Sequence, residues 1–330
     1  MTEARRDGDL WTVTLDEGGA RREVRARMLV NAGGPWVGEI ISGVVHSNSR
    51  DGVRLVRGSH IVTRRLFDHD KCYFFQGSDG RIMFAIPYEE DFTLIGTTDA
   101  EHHDPDAAPV CTAEERRYML DFVNDYLKKP VTEDDVVWSY SGVRPLYDDG
   151  AQSATAATRD YTLKVEAAGG APVLNVFGGK ITTYRRLAEG ALDRISTHLK
   201  TGRRSWTAGA SLPGGDFAVG EVADLVARLK AGFPFLPDYA CRRMVRAYGT
   251  QAWDMLDDAK APADLGQDFG ATLTAREVTW LMTREWARTA EDVVWRRSKL
   301  GLRMTADQIA RLDEWMQKAL DRGLAQEAAE

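Results

Sequence analysis

VLNVFGGKITTY, from Val173 to Tyr184, decides how this chain folds, because an apolar run breaks at Gly178-Gly179 and restarts as a helix with Lys180 at the turn. The apolar run suits a buried strand, and two glycines let backbone approach a ligand closely. Thr182 or Thr183 can cap the helix, whose first amides favour negative charge. Such a junction could hold a phosphate or a flavin. An ordinary strand-to-helix turn with a surface lysine gives the same pattern, and this segment alone favours that reading.

The composition is that of a globular protein with room for two or three domains. Of 330 residues, 43% are hydrophobic and 28% are charged. The net charge of -7 argues against a general nucleic-acid binder, which would need a basic face. Three widely spaced cysteines, Cys72, Cys111 and Cys241, indicate neither a disulfide framework nor a metal set and favour a reducing compartment.

The ends of the chain carry no targeting signal that the sequence makes visible. No apolar run approaches the roughly 18 residues of a membrane span, and MTEARRDGDL lacks the apolar core of a signal peptide. We therefore expect a soluble or peripherally attached protein. The opening segments resemble the last strands of a domain, so we also expect a fragment or a misassigned start.

Strand and helix patterns alternate along the first 200 residues. Residues 10–31 indicate a hairpin, with TVTL and then turn residues Asp16 to Gly19, followed by a buried strand around Met28 to Asn31. Thr112 with Glu115 begins a helix that runs to Lys128. The other strand predictions are 53–64, 71–76, 81–88, 92–98, 136–146 and 161–165, before a helix over 182–199. Residues 53–166 therefore form a sheet-rich insertion.

Beyond residue 213 the pattern becomes helical. Helices are predicted over 217–231, 238–256, 274–299 and 305–321. Capping-box spacing marks two of them, Thr274 with Glu277 and Thr305 with Gln308. Four tryptophans are predicted to pack in the core of this bundle, namely Trp280, Trp286, Trp295 and Trp315.

Four polar residues lie in strands or turns that would not need them for folding: His60, Arg144, Arg159 and Lys180. His60 follows a Gly-Ser bend that could aim it at a cavity, although a lone strand histidine is more often a packing residue. Arg144 could hold a phosphate by a bidentate contact, or pair with a following aspartate at 148 or 149. Arg159 could likewise bind a phosphate, or it could pair with the adjacent Asp160. If they converge, the four suit an anionic, oxidisable substrate.

Two further patterns bear on ligands. Ile95 to Asp99 ends a strand with small hydroxyl residues, which could line a ligand or form a turn. His102 and His103 lack a second cluster at ligand spacing, so no metal site is predicted. No GxG occurs, so a dinucleotide would have its main anchor upstream of this chain.

Seven segments in order carry a family resemblance: VNAGGPWV, RGSHIV, IGTTD, YSGVRPL, TRDYTL, FGGKITTYRRLAE and EDVVWRRSKLGL. Together they closely resemble the FAD-dependent glycerol-3-phosphate dehydrogenases of the quinone-linked aerobic type, over about residues 10 to 320. The family begins with a glycine-rich FAD fingerprint and a substrate-contacting arginine region, and neither is in this chain.

The resemblance implies an α+β fold. Residues 1–43 and 167–200 would form part of a glutathione-reductase-like FAD domain, residues 44–166 a substrate cap with a mixed or antiparallel sheet, and residues 205–330 a C-terminal α-helical domain.

It also implies site residues. Ala32, Gly33 and Trp36 would lie near the FAD. Gly178, Gly179, Lys180, Ile181 and Thr182 would lie against the isoalloxazine edge. His60, Arg144, Arg159 and Lys180 would surround glycerol 3-phosphate, with His60 or Lys180 as the base.

The implied activity is oxidation of sn-glycerol 3-phosphate to dihydroxyacetone phosphate, with a hydride passed to FAD and electrons to quinone. The resemblance further implies peripheral attachment to the cytoplasmic face of the membrane and allows a homodimer. Two alternatives stay open. One is a related FAD oxidase that uses oxygen or an amine substrate, and the other is a non-catalytic fragment that serves in association. We expect the chain alone to be incomplete and to hold little FAD.

Overall fold

The computed structural model describes the whole chain except residues 79, 149, 151–157, 201, 203–204 and 324–330. It separates into two compact units, Met1–Ala208 and Gly209–Glu330. The first unit contains the sheets and the second is mainly helical, as the change in pattern near residue 213 predicts. The finer division of the first unit into cofactor and cap parts stays a prediction.

The strands of the described residues agree closely with the alternating segments of the sequence. They are β1 (Glu3–Asp7), β2 (Leu10–Glu17), β3 (Ala20–Ala26), β4 (Leu29–Asn31), β5 (Val53–Arg64), β6 (Tyr73–Gln76), β7 (Ile82–Tyr88), β8 (Phe92–Gly96), β9 (Ala100–His102), β10 (Val136–Tyr147), β11 (Thr162–Glu166), β12 (Val173–Phe177), β13 (Asp268–Gly270) and β14 (Leu273–Thr274).

The α-helices are α1 (Val37–Glu39), α2 (Ala113–Asn124), α3 (Tyr184–Leu199), α4 (Val222–Gly232), α5 (Asp238–Tyr248), α6 (Gln251–Leu256), α7 (Ala275–Arg284) and α8 (Ala306–Asp321). Short 3-10 turns precede several of them, and π-helical segments occupy Ile40–Val44 and Asp292–Arg297. The Thr112–Glu115 and Thr305–Gln308 capping boxes are confirmed.

The largest sheet has the order β10-β5-β8-β7-β6, with β9 also paired to β5. One face packs against α2 through a buried cluster that includes Ile61, Met83, Ile95 and Met119. Because side chains alternate along a strand, the neighbours of these residues lie on the opposite face. We call this opposite side the open face. Five residues lie in register across it, one on each strand: Phe74, Phe84, Gly96, His60 and Tyr140.

A second sheet has the order β11-β12-β4, and β12 and β4 are parallel. All five residues of β12 are buried, as their apolar sequence predicts. The prediction that β4 is buried is wrong for Val30, which is 50% exposed, because β4 is an edge strand of this sheet. The predicted hairpin is confirmed as β2 and β3, and it forms a separate sheet with β1.

The helical unit differs from the sequence prediction at several points. The helices predicted over 238–256 and 274–299 are each interrupted, at Gly249 and after Arg284 respectively. The short hairpin β13–β14 was not predicted. Thr274 makes no side-chain cap, and the carboxylate of Glu277 binds the buried guanidinium of Arg243 in place of the Thr274 amide. This predicted capping box is therefore wrong.

Three of the four tryptophans, Trp280, Trp295 and Trp315, pack against the core of the helical unit. Trp286 does not: it is 75% exposed and has a positive φ of 55°. Trp286 lies beyond the end of α7 at Arg284. Outside a helix, the helical spacing of apolar residues no longer predicts which side chains are buried. In the described part of the chain, no helix has both the length and the apolarity needed to cross a bilayer.

Candidate functional site

The Gly178-Gly179 turn joins β12 to α3 and depends on both glycines. Their φ angles are 65° and 110°, in the region that residues with a Cβ rarely adopt. A Cβ atom at Gly178 would also meet Pro145 O, Tyr147 N and Asp160 O at 3.3–3.4 Å. The turn therefore lies directly against the strand that carries Arg144 and against the Arg159-Asp160 segment.

The helix after this turn begins without a threonine cap. Thr183 donates its hydroxyl to Lys180 O at 2.9 Å, and neither helix start receives a side-chain cap. The predicted capping by Thr182 or Thr183 is therefore wrong. Since helix N-termini leave their first amides without intrahelical partners, these donors lie beside the diglycine. Ile181, in that first turn, is 87% exposed.

A second glycine turn follows β4, the parallel neighbour of β12. Asn31 is buried and donates to Asn175 Oδ1 at 3.0 Å and Val37 O at 3.1 Å, while its own oxygen accepts from Gly33 N at 3.2 Å. A Cβ at Gly33 would overlap the end of the Ile40 side chain, which would have to move to admit any larger residue. Ala32 and Gly33 therefore lie at the same carboxyl edge of the sheet as Gly178, where open parallel sheets bind ligands.

These two turns fit the ring end of a flavin. They offer backbone amides and close backbone approach, and the exposed apolar side chain of Ile181 lies in the helix start that follows the diglycine. The indole of Trp36 instead donates to Asp106 Oδ1 at 2.8 Å, so its assignment to the FAD stays a prediction. Of the residues assigned to FAD by resemblance, the structure thus groups Ala32, Gly33 and residues 178–182.

Asp99 joins the two predicted substrate arginines. Arg144 donates to Asp99 Oδ1 at 2.7 Å and to Thr97 Oγ1 at 3.1 Å, and Arg159 reaches Asp99 Oδ2 at 3.5 Å. The guanidinium of Arg144 lies over Gly58, where any Cβ would overlap it. Arg144 thus pairs with Asp99. One reading of the sequence had offered an aspartate at 148 or 149, and position 149 lies outside the described residues. One carboxylate, that of Asp99, holds two cations together.

Lys180 lies beside this group because it pairs with Asp160, the residue that follows Arg159 in the sequence. Its amine is 3.3 Å from Asp160 Oδ1, and its side chain is 51% exposed. Asp160 therefore pairs with Lys180, whereas the sequence suggested that it would pair with Arg159. Arg144, Arg159 and Lys180 against Asp99 and Asp160 leave this group with one excess positive charge.

His60 lies on the open face between Gly96 and Tyr140. Its ring is parallel to that of Tyr140, with centroids 5.0 Å apart, and a Cβ at Gly96 would overlap it. Burial, with a smaller contribution from the charge of Arg144, lowers the pKa of His60 to about 4. Among the described residues, nothing bonds to its buried Nδ1. His60 is therefore a neutral imidazole at pH 7, with a nitrogen able to bind a ligand or water.

Sequence reasoning missed several residues of this group. Asp99 lies in a segment that was equally consistent with a turn, and nothing in it identifies Arg144 as its partner. Tyr140 faces His60 only through the register of β5 with β10. The signal that could have found Gly58 and Gly96 is glycine inside a strand, which marks close approach of another group. In the described ranges, no three His, Cys, Asp or Glu side chains are grouped to hold a metal.

Comparison with known proteins places this geometry in a family. The family model of FAD dependent oxidoreductases matches residues 1–185. The chain belongs to this family. A second family model, the C-terminal domain of alpha-glycerophosphate oxidase, matches residues 205–323. The expected α+β architecture, with an FAD-dependent oxidoreductase fold and a C-terminal helical domain, is confirmed.

The relatives carry related names. An aerobic glycerol-3-phosphate dehydrogenase of Escherichia coli is 42% identical over 318 residues, which is 96% of this chain and 63% of the relative. A glycerol-3-phosphate dehydrogenase of Pseudomonas aeruginosa is 43% identical over 316 residues, which is 95% of this chain and 62% of the relative. A D-erythritol 1-phosphate dehydrogenase of Brucella abortus is 39% identical, with 97% and 64% covered.

A solved structure agrees with these matches. The glycerol-3-phosphate dehydrogenase of Bacillus halodurans, determined in complex with FAD, superposes with a TM-score of 0.74 at 25% identity over 99% of this chain and 64% of that one. This FAD-dependent oxidoreductase chain therefore spans somewhat less than two thirds of the length of its relatives.

Proposed function

We propose that this chain is the substrate-side portion of an FAD-dependent glycerol-3-phosphate dehydrogenase. The reaction would oxidise sn-glycerol 3-phosphate to dihydroxyacetone phosphate and pass electrons to quinone. The observation that carries the proposal is that Arg144 and Arg159 share Asp99 while the charge of Arg144 acts on His60. The Gly178 turn packs against the backbone next to both arginines. The names of the relatives support the same substrate class, a polyol phosphate.

The arginines would bind the phosphate. Two guanidinium groups that already share the carboxylate of Asp99 are spaced to share the oxygens of one phosphate, and such contacts are charge-assisted. Lys180 would add positive charge on the side of the flavin edge. Arginine pairs of this kind favour a phosphate over an amine, so an amine oxidase is disfavoured.

His60 is the better candidate for the base. A base must be unprotonated before it accepts the hydroxyl proton, and the lowered pKa of His60 meets that condition at neutral pH. The amine of Lys180 already has a partner, the carboxylate of Asp160 at 3.3 Å. Bound FAD would supply the hydride acceptor for the substrate C2. Residues 178–182 would hold its ring, and the amides that begin the helix would stabilise added negative charge there.

Flavin content and substrate binding test the proposal. We expect the purified chain to hold little FAD and yet to bind glycerol 3-phosphate, followed by calorimetry, more tightly than glycerol. Arg144→Ala should remove this preference, whereas Arg54→Ala, a change on the same sheet, should keep it. In an intact enzyme, Arg144→Ala should impair substrate use far more than FAD binding. A wild-type chain that binds glycerol and glycerol 3-phosphate equally would contradict the substrate assignment, and a stoichiometric yellow preparation would contradict the expected lack of FAD.

A glycerol-3-phosphate oxidase is the second candidate, and the description of the matching C-terminal family model favours it. The substrate residues would be the same, but oxygen would accept the electrons. Hydrogen peroxide formation in air, compared with reduction of a quinone analogue under argon, distinguishes the two. Peripheral attachment to the cytoplasmic face of the membrane and assembly as a homodimer also belong to the proposal. Co-sedimentation with lipid vesicles and light scattering would test them.

A further inference from the structure

A buried carboxylate, Glu115, lies behind the open face, on the α2 side of the largest sheet. We call this sheet, with the order β10-β5-β8-β7-β6, the cap sheet. The side chain of Glu115 is 11% exposed. Oε1 accepts from Thr98 Oγ1 at 2.9 Å and from Ser59 Oγ at 3.0 Å. Oε2 accepts from Thr112 N at 2.9 Å and from Arg57 Nη2 at 3.1 Å. Both oxygens are therefore fully used.

Only part of this bonding belongs to the helix. Of the bonds to the Glu115 carboxylate, only the one from Thr112 N belongs to the capping box of α2. The two hydroxyl bonds and the pair with Arg57 reach a strand and a loop outside the helix. Burial by itself would raise the pKa of Glu115, but hydrogen bonds from Thr112, Thr98 and Ser59 lower it below the ordinary value. Glu115 is therefore an anion at neutral pH, and its hydrogen bonds are of the stronger, charge-assisted kind.

The two hydroxyl partners are the chain neighbours of site residues. Ser59 precedes His60, and Thr98 precedes Asp99, the carboxylate that holds both arginines. Ser59 N also donates to Thr98 Oγ1 at 3.0 Å, which ties β5 directly to the segment after β8. Because successive side chains on a strand point to opposite faces, fixing Ser59 on the α2 side fixes His60 on the open face.

We propose that Glu115 is a positioning residue for the candidate substrate site. Through Ser59 and Thr98 it sets the distance between His60 and the Asp99–arginine group, so that a base and an anion site face one substrate. This inference rests on the proposed function, since it takes that group to bind a phosphate ester. Groups that hold ligand-binding residues in this way have large effects without touching the ligand.

Two variants and one matched control test the inference. Thr98→Val removes the hydroxyl bond but leaves the helix cap and the pair with Arg57. Glu115→Gln keeps the shape and removes the charge. Thr112→Ala is the control, because it removes the other half of the same capping box, the bond from Glu115 N to Thr112 Oγ1 at 3.1 Å, without touching Ser59 or Thr98.

Binding of glycerol 3-phosphate and of inorganic phosphate should weaken about tenfold in the first two variants, the lower end of what such outer partners cost. The pKa of His60, followed by NMR of labelled histidine, should rise in both towards its ordinary value as water reaches the ring. Thr112→Ala should lower the melting temperature and leave both measurements unchanged.

The outcomes separate the two proposals. If Thr112→Ala shifts phosphate binding and the His60 signal as far as Thr98→Val does, Glu115 merely stabilises the fold and the inference is overturned. If the wild-type chain binds neither anion, the proposed substrate is wrong. In that case the His60 signal alone decides the role of Glu115, because it needs no ligand: a shift in Thr98→Val but not in Thr112→Ala supports positioning, and any other pattern refutes it.

Discussion

Replacing His60 with phenylalanine should remove most of the acid sensitivity of the cap sheet above pH 5. The aromatic ring would keep its place between Gly96 and Tyr140, since a stacked partner and a bare backbone accept either ring. What disappears is the titrating nitrogen. Burial and then the charge of Arg144 lower the pKa of His60 to about 4 in the folded chain, whereas an unfolded histidine titrates near 6.5.

The sign and size of the effect follow from these two values. Between pH 6.5 and 4 the unfolded chain binds a proton that the folded chain does not, so the free energy of unfolding falls as the pH is lowered. Proton linkage with these values gives a loss of about 2 kcal/mol between pH 7.5 and pH 5. Above pH 7 the contribution is complete and the curve should be flat.

Native-state hydrogen exchange of the β5 amides is the suitable assay, because it reports opening of the cap sheet separately from unfolding of the helical unit. Measurements at pH 7.5, 6 and 5 should show the loss in the wild type and its near absence in His60→Phe. His103→Gln, which replaces an exposed histidine, is the control and should behave as the wild type. Carboxylates with lowered pKa, such as Glu115 and Asp51, titrate below this range.

An equal loss in the wild type and in His60→Phe would refute the reasoning. It would mean that the ring of His60 is solvated in the folded chain and its pKa is not lowered. There would then be no reason to regard His60 as neutral, and therefore ready to act as the base. A wild type that is stable down to pH 5 would refute the reasoning equally.

Three further changes test other parts of the fold. Gly96→Ala should destabilise the cap sheet by about 1–3 kcal/mol, because the added methyl overlaps the His60 ring, and exchange of the β5 amides measures this. Trp286→Gly should stabilise the helical unit by about 1 kcal/mol in urea unfolding, because glycine accepts the positive φ without strain and the lost ring is mostly exposed. Glu277→Ala should cost about 3–5 kcal/mol in the same assay by leaving the buried Arg243 without its carboxylate, and a loss under 1 kcal/mol would contradict this.

The cap strands could be predicted from the sequence because their information is local. The limits of β5 follow from apolar alternation between turn residues, since one of its faces is buried against α2. The role of Glu277 could not be read in this way. Its spacing from Thr274 suggests a cap, but its partner Arg243 lies 34 residues earlier and meets it only in the packed unit.

The candidate site shows the same division. The glycines and the arginines were identifiable from turn chemistry and from their unusual positions in strands. Their partners were not, because whether Arg144 meets Asp99 or a nearer aspartate depends on which loops the sheet order brings together. Proximity in sequence suggested Asp160 as the partner of Arg159, but Asp160 pairs with Lys180 and Arg159 reaches Asp99.

The carboxylate of Asp99 changes what the arginine pair implies about its ligand. Two guanidinium groups that share one carboxylate keep one excess positive charge, but Asp99 already occupies one donor of each. A phosphate monoester carries nearly two charges at pH 7 and three acceptor oxygens, so it can engage both arginines while Asp99 stays in place. If the group binds the substrate as we propose, it should favour a phosphorylated polyol over an amine by the sign of its charge, and over a simple carboxylate by the number of acceptor oxygens.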